Sequence, residues 1–157
     1  MDPSPRTTGE LFAYESDFDF NGVLHWVGRQ YGTMAEYKNP AALGLVTVTA
    51  SSVEYGETQF AIGHCAYQDK FSTKNEPESW VCINFGVEYI VYPTHYSLRN
   101  CMSTVGHSVL NWVLEGSNNG VDFFVLSTHT DDVSLSPERG SVATFKVTGD
   151  DTRAFCG

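Results

Sequence analysis

The chain has 157 residues, 41% of them apolar and 13% aromatic, with 9 basic against 19 acidic side chains for a formal charge of −10. That length suits one domain with one sizeable core, and the acidic balance repels a phosphate backbone, so nucleic acid is not an expected partner. No run approaches the roughly 20 apolar residues that cross a bilayer, and Met1-Asp2-Pro3-Ser4-Pro5 lacks the basic-then-apolar pattern of a signal peptide. The expectation is therefore a cytoplasmic chain with no membrane partner, its four cysteines (Cys65, Cys82, Cys101, Cys156) free thiols outside any CxxC spacing.

Frequent Val, Thr, Tyr and Gly favour strands and tight turns over a helical bundle. Residues 1–10 (MDPSPRTTGE) have almost nothing to bury and read as a disordered tail, which leaves 11–157 as the domain. In GVLHWVG, residues 22–28, the pattern fits a short strand or a turn of helix equally, behind the turn-forming Asp17, Asp19 and Asn21. LGLVTVTA, residues 43–50, alternates as a strand after the breaker Asn39-Pro40. A long polar stretch, 51–79, follows, with a short strand expected at Phe60-Ala61-Ile62. Further strands are expected at 80–85 (WVCINF), 94–100 (THYSLRN), 112–117 (WVLEGS), 121–126 (VDFFVL) and 141–147 (SVATFKV). Between the third and fourth of these, Asn118-Asn119-Gly120 signals a hairpin, because Asn and Gly tolerate the positive φ of a primed turn. Irregular strand spacing with long loops points to a jelly-roll sandwich rather than a meander.

Chemical motifs are sparse. His129, Asp131 and Asp132 in HTDD are residue types that bind metal, but they are read as a solvated loop after a strand; His64-Cys65 lacks further ligands at suitable spacing and reads as a strand edge. There is no GxSxG nucleophile turn, since Gly106-His107-Ser108 merely sets His beside Ser. No Gly-rich phosphate loop is followed by Lys-Ser/Thr. No catalytic residue, metal or cofactor is assigned. What remains are aromatic and basic groups in loops, Tyr31 and Tyr37 near Arg29 and then Arg99 and His107, which suit contact with a ligand on the rim of a rigid sandwich or simply fill core edges.

Several segments together resemble one family: ESDFD at 15–19, NG at 21–22, WVG at 26–28, NPA at 39–41, NEPESWVCI at 75–83, PTHYSLR at 93–99, NWVLEGSN at 111–118 and ATF at 143–145. The chain is similar, over about residues 12–147, to the discoidin-like (galactose-binding-like) domain of HECT-type ubiquitin ligases and some BTB-domain proteins. The resemblance implies an all-β, eight-stranded jelly-roll sandwich with binding loops at one end. It also implies a non-catalytic accessory module that recruits a protein partner, any ubiquitin transfer residing in another domain. In relatives, sugars, phospholipids or protein segments occupy that end, so fold analogy does not choose the ligand; a carbohydrate-binding module is the alternative, and a hydrolase using His107 and His129 a weaker one. By position Arg99, Asn100 and His107 fall where sugar-binding relatives place polar contacts, and with Tyr37 they form the expected ligand-binding set. Phe123-Phe124 and Asn84 stand where the family commonly has Trp and Asp. The family's last strand continues past the point matched by Arg153-Ala154-Phe155, so the expectation is a sandwich lacking that strand, a truncated product or a fragment of a longer ligase or BTB protein, with one sheet edge open.

Overall fold

A computed structural model describes residues 9–64, 69–87, 89–102 and 108–148. Among these the chain is built from strands, with one short helix. Helix α1 spans Val23–Gly28; strands β1 to β8 span Thr47–Ala50, Tyr55–Gly56, Phe71–Ser72, Val81–Asn84, His95–Arg99, Trp112–Ser117, Phe123–His129 and Val142–Lys146. The strands join as four antiparallel pairs, β1 with β4, β2 with β3, β5 with β8 and β6 with β7. In the β5–β8 pair His95 faces Lys146 and Arg99 faces Val142. Trp112 faces His129 across β6–β7, where a register shift falls between Leu114 and Glu115. The core forms where these two pairs meet: Leu135, Ala143 and Phe145 are buried, with Tyr96, Leu98 and Trp112 packed against them.

The strand positions follow the sequence pattern in the second half and depart from it in the first. GVLHWVG resolves as α1, which buries Val27 and Gly28 and ends where Gln30, Tyr31 and Gly32 all take positive φ. The strand expected from residue 43 starts only at Thr47. Asn39 Oδ1 accepts the amide of Ala41, the amide of Leu45 bonds the Pro40 carbonyl, and Gly44 has φ 70°, so the Asn turn consumes the first half of the apolar run. Phe60-Ala61-Ile62 is not a strand but part of a 3₁₀ turn, Thr58–Ile62. The amide of Phe60 reaches the Glu57 carbonyl and the Asn39 side chain donates to the Gln59 carbonyl. An apolar run this short carries no period to distinguish the two.

The hairpin forms where the Asn-Gly signal places it, but its loop covers residues 118–122 and β7 starts at Phe123. Ser117 Oγ accepts the Gly120 amide, Asn119 Oδ1 accepts the amides of Val121 and Asp122, and Gly120 takes φ 69°. Two side-chain acceptors taking three successive amides stabilise a wider turn than the two-residue form. Cys82 and Cys101 are thiols; Cys65 and Cys156 lie outside the described residues, as does the C-terminal edge expected to be open. Among the described residues no helix is long and apolar enough to cross a membrane.

Gly28 sets how closely the chain returns to α1. Its carbonyl accepts the Lys38 amide at 2.9 Å, and a Cβ here would press into the Tyr37 ring and lie 2.5 Å from the Lys38 carbonyl oxygen. Gly28→Ala therefore forces backbone apart. The expected cost is about 1–3 kcal/mol in a urea melt, with loss of the Tyr37 ring-current shifts; an unchanged midpoint contradicts this packing.

Candidate functional site

At the C-terminal end of β5, Arg99 draws three stretches of chain together. Its guanidinium donates to the carbonyl oxygens of Gly63 and His64, each at 3.2 Å, and its Cζ lies 4.3 Å from the centroid of the Phe18 ring. A planar guanidinium, with its donors fixed in one fork, can satisfy two adjacent carbonyls and stack on a ring face at once. Phe18 reaches that position in a left-handed conformation, φ 55°. Asp19 holds the turn: its carboxylate accepts the amides of Ser16 and Asn21, and those bonds keep its carboxyl below the usual range. A non-glycine residue in this region costs about 1–2 kcal/mol, offset here by the ring contacts Phe18 makes.

Beside Arg99 the rings form a continuous cluster. His25 stacks on Tyr37 with centroids 5.2 Å apart and planes 2° from parallel. His64 touches His25 at 5.5 Å, Tyr37 at 5.2 Å, Phe20 at 4.9 Å and Phe18 at 5.8 Å. The Tyr37 hydroxyl donates to the Ile62 carbonyl at 3.3 Å; burial, reinforced by the charge of Asp69, pushes its phenol up to about 12, so Tyr37 acts as a donor at any physiological pH. Burial first, then the neighbouring Arg29, lowers His25. His64 is lowered by burial first, then by His25 and Arg99, with Asp69 opposing.

Phe18 and Arg99 lead from this cluster to a cavity of about 350 Å³, lined among others by Phe18, Phe60, Gly63, Asp69, Lys70, Arg99 and Asn100. It offers an aromatic ring, two cations and a carboxylate within one concave surface. A cleft of similar size, about 360 Å³, lies between Ala41, Gly44, Val48 and Gln59, but it presents neither a ring nor a cation, and the first is the better candidate on chemistry. Of the sequence-expected set, Arg99 and Asn100 line the cavity, while Tyr37 lies outside the lining and packs on His64, whose carbonyl Arg99 holds. Asn100 is buried, and its amide donates to the Ser136 carbonyl at 2.6 Å and to Ser141 Oγ at 3.1 Å, so it fixes the loop behind the cavity. His107 lies outside the described residues. Phe18, His25, His64 and Asp69 were not singled out as ligand contacts by the sequence; the alternation Asp17-Phe18-Asp19-Phe20 was the available signal for the first.

The HTDD segment follows the loop reading at Thr130 and Asp131, which are exposed just after β7, but not at His129. His129 ends β7 and is partly buried rather than in a solvated loop. Its ring stacks on Trp112, centroids 4.1 Å apart and 5° from parallel, while Nδ1 meets Asp132 Oδ2 at 2.7 Å and Nε2 lies 3.0 Å from the Tyr96 hydroxyl. Trp112 Nε1 donates to the same hydroxyl at 2.8 Å, and Ser127 Oγ lies 3.3 Å from it. Two of the residues read as metal ligands, His129 and Asp132, are thus part of a hydrogen-bonded network joining β5, β6 and β7, while the Asp131 amide bonds Asn111 Oδ1. Among the described residues no group of three or more His, Cys, Asp or Glu side chains is placed to hold a metal ion. His64 does not sit on a strand edge but in the ring cluster.

No protein-family model matches the chain. Over 143 residues it is 36% identical to the E3 ubiquitin-protein ligase Ufd4 of Drosophila melanogaster, an alignment taking in 89% of this chain and 5% of the ligase. It is 32% identical over 142 residues to the E3 ubiquitin-protein ligase hecd-1 of Caenorhabditis elegans, again 89% of this chain and 5% of the ligase. A BTB/POZ domain-containing protein of Arabidopsis thaliana is 28% identical over 149 residues, covering 91% of this chain and 18% of that protein. The chain therefore spans only a small part of these curated relatives. Among solved structures, CpGH89CBM32-5 from Clostridium perfringens, in complex with GalNAc-β-1,3-galactose, superposes with a TM-score of 0.52 at 18% identity, over 67% of this chain and 76% of that one. The shared fold is the all-β, galactose-binding-like jelly roll.

Two substitutions test the β5–β6–β7 network. Tyr96→Phe removes the acceptor of the Trp112 indole and leaves a partly buried donor unpaired, an expected loss of about 1–3 kcal/mol in urea unfolding; a loss within error of zero contradicts the network. Asp132 is held down to about 2 by hydrogen bonds from the Ser134 hydroxyl and amide and then from His129. Because the folded pKa is depressed, its stabilisation is complete above the ordinary carboxylate value of about 4 and lost as pH falls from there toward 2. In Asp132→Asn the denaturation midpoint should vary less with pH across that window than in the unsubstituted chain.

Proposed function

We infer that this chain, a discoidin-like (galactose-binding-like) domain of the type found in HECT-type ubiquitin ligases and BTB-domain proteins, is a non-catalytic binding module that recruits a protein partner. The observation that carries this is the cavity at the end of β5, where Phe18, Asp69, Lys70 and Arg99 line one concave surface. Arg99 is held there by the Gly63 and His64 carbonyls, so little side-chain freedom remains to be lost on binding. Mixed charge beside an aromatic ring suits a peptide segment carrying both a polar and an apolar anchor. The alignments to a small part of two ubiquitin ligases support an accessory role, in which this domain positions a partner in the cytoplasm and ubiquitin transfer occurs elsewhere in the assembly.

A second function is favoured by one feature. Phe18 stands beside Arg99 and Asn100, and an aromatic ring next to polar groups is what a sugar ring requires; the structural neighbour holding a disaccharide has the same fold. One experiment separates the two. Unsubstituted chain, Lys70→Glu and Arg99→Lys in the cavity, and Glu115→Lys on the distant strand β6 are used as baits in cytosolic extract and on a glycan array. Recruitment predicts a set of proteins held equally by the unsubstituted and Glu115→Lys baits and reduced about tenfold by either cavity change, a loss of about 1.4 kcal/mol, with the array blank at millimolar sugar. Retention indifferent to the cavity changes refutes recruitment through this site, and glycan binding sensitive to them replaces it with the sugar function.

A further inference from the structure

We propose that His25 and His64 form a proton-operated latch on the cavity: with both imidazoles neutral its wall is held together, and protonation of either one loosens it. This concerns regulation of the same site and rests on the binding function inferred above.

The geometry concentrates two imidazoles in one apolar stack. His25 comes from α1 and His64 from the segment after the 3₁₀ turn, and they meet 5.5 Å apart with Tyr37 against both. Phe20 covers them at 5.0 and 4.9 Å. His64 is also the residue whose carbonyl Arg99 grips, and its ring lies along Phe18, so the pair joins the N-terminal segment to the cavity wall. The charged groups facing them are mostly of one sign. Arg29 stands toward His25 from the end of α1 and Arg99 toward His64 from β5, while Asp69, which lines the cavity, opposes them at His64 and the Phe20 backbone favours a proton on His25. The Tyr37 phenol stays neutral.

A proton on either ring therefore meets a second imidazole and an arginine in a part-buried site, and the ring gains more solvation by leaving the stack than by staying. The sign is fixed by the depressed folded values: the closed wall is fully stabilised above the ordinary imidazole pKa of about 6.5, and that stabilisation is lost as pH falls below it through the folded pKa. His95, which stacks on Tyr14, and His129, bound to Asp132, lie outside this cluster.

The test needs no ligand. Imidazole titrations and amide hydrogen exchange are followed by NMR on the unsubstituted chain and on His64→Phe, which keeps a ring in the stack but cannot take a proton. Between about pH 7.5 and about pH 5.5, exchange corrected for its intrinsic rate should accelerate about tenfold in residues 18–37 and 57–64 and less than about twofold in β6 and β7, with His25 and His64 titrating below free histidine. In His64→Phe the acceleration should shrink; should that variant not fold, the unsubstituted chain decides alone. Titration at the ordinary value, acceleration shared equally by β6 and β7, or acceleration undiminished in folded His64→Phe overturns the latch. Failure to capture a partner would leave these results untouched, and a pH-indifferent wall would leave the binding function standing.

Discussion

The contact between the Arg99 guanidinium and two consecutive backbone carbonyls, with the Phe18 ring beneath it, is what the loop end of this domain depends on. Strand β5 is anchored by its pairing to β8 and by the core around Phe145, so Arg99 projects from a rigid element. The chain around residues 63–64 and the left-handed turn at Phe18 have little regular structure of their own. Without the guanidinium, two carbonyls and a strained phenylalanine lose a common partner. With it, the turn at residue 18, the end of the 3₁₀ segment and the β5 terminus are one surface.

That surface differs electrically from the rest of the molecule. The chain carries a formal charge of −10, yet Lys70 and Arg99 line the cavity and Arg29 stands near His25. With Asp69 the only carboxylate beside these cations among the described residues of the lining, this surface is less acidic than the chain as a whole, whose net charge disfavours extended anionic polymers. The apolar rings beside those cations supply the desolvated floor that gives a charged contact its strength. The second aromatic centre, around Trp112 and His129, has a different purpose: its polar atoms are engaged with one another across β5, β6 and β7, which fixes how the strand pairs meet.

The later strands were legible because their signals are local. Alternation marked β5, β6 and β8 to within a residue, and Asn119-Gly120 marked the hairpin. Its wider loop escaped because Ser117 and Asn119 accept successive backbone amides, a competition that a dipeptide rule omits. In the first half side chains again overrode pattern: Asn39 and Gly44 turned Leu43–Leu45 out of the strand, and Phe60–Ile62 was too short to show a period. Of the site, Tyr37, Arg99 and Asn100 were readable as residue types on loops beside strands. The partners of Arg99 were not, since Phe18 and His64 reach it by chain returns of 81 and 35 residues and nothing in the spacing encodes that meeting. His129 was readable as a polar ligand type, but its stacking on Trp112 follows from hairpin register rather than from HTDD itself.

The most direct measure of loop-end preorganisation by Arg99 is a double-mutant cycle in urea with Phe18→Leu, Arg99→Met and the pair. A guanidinium over the ring predicts a coupling of about 0.5–2 kcal/mol in favour of the native pair. Strict additivity of the two single changes contradicts it, and leaves the cavity without the interaction that holds its wall in place.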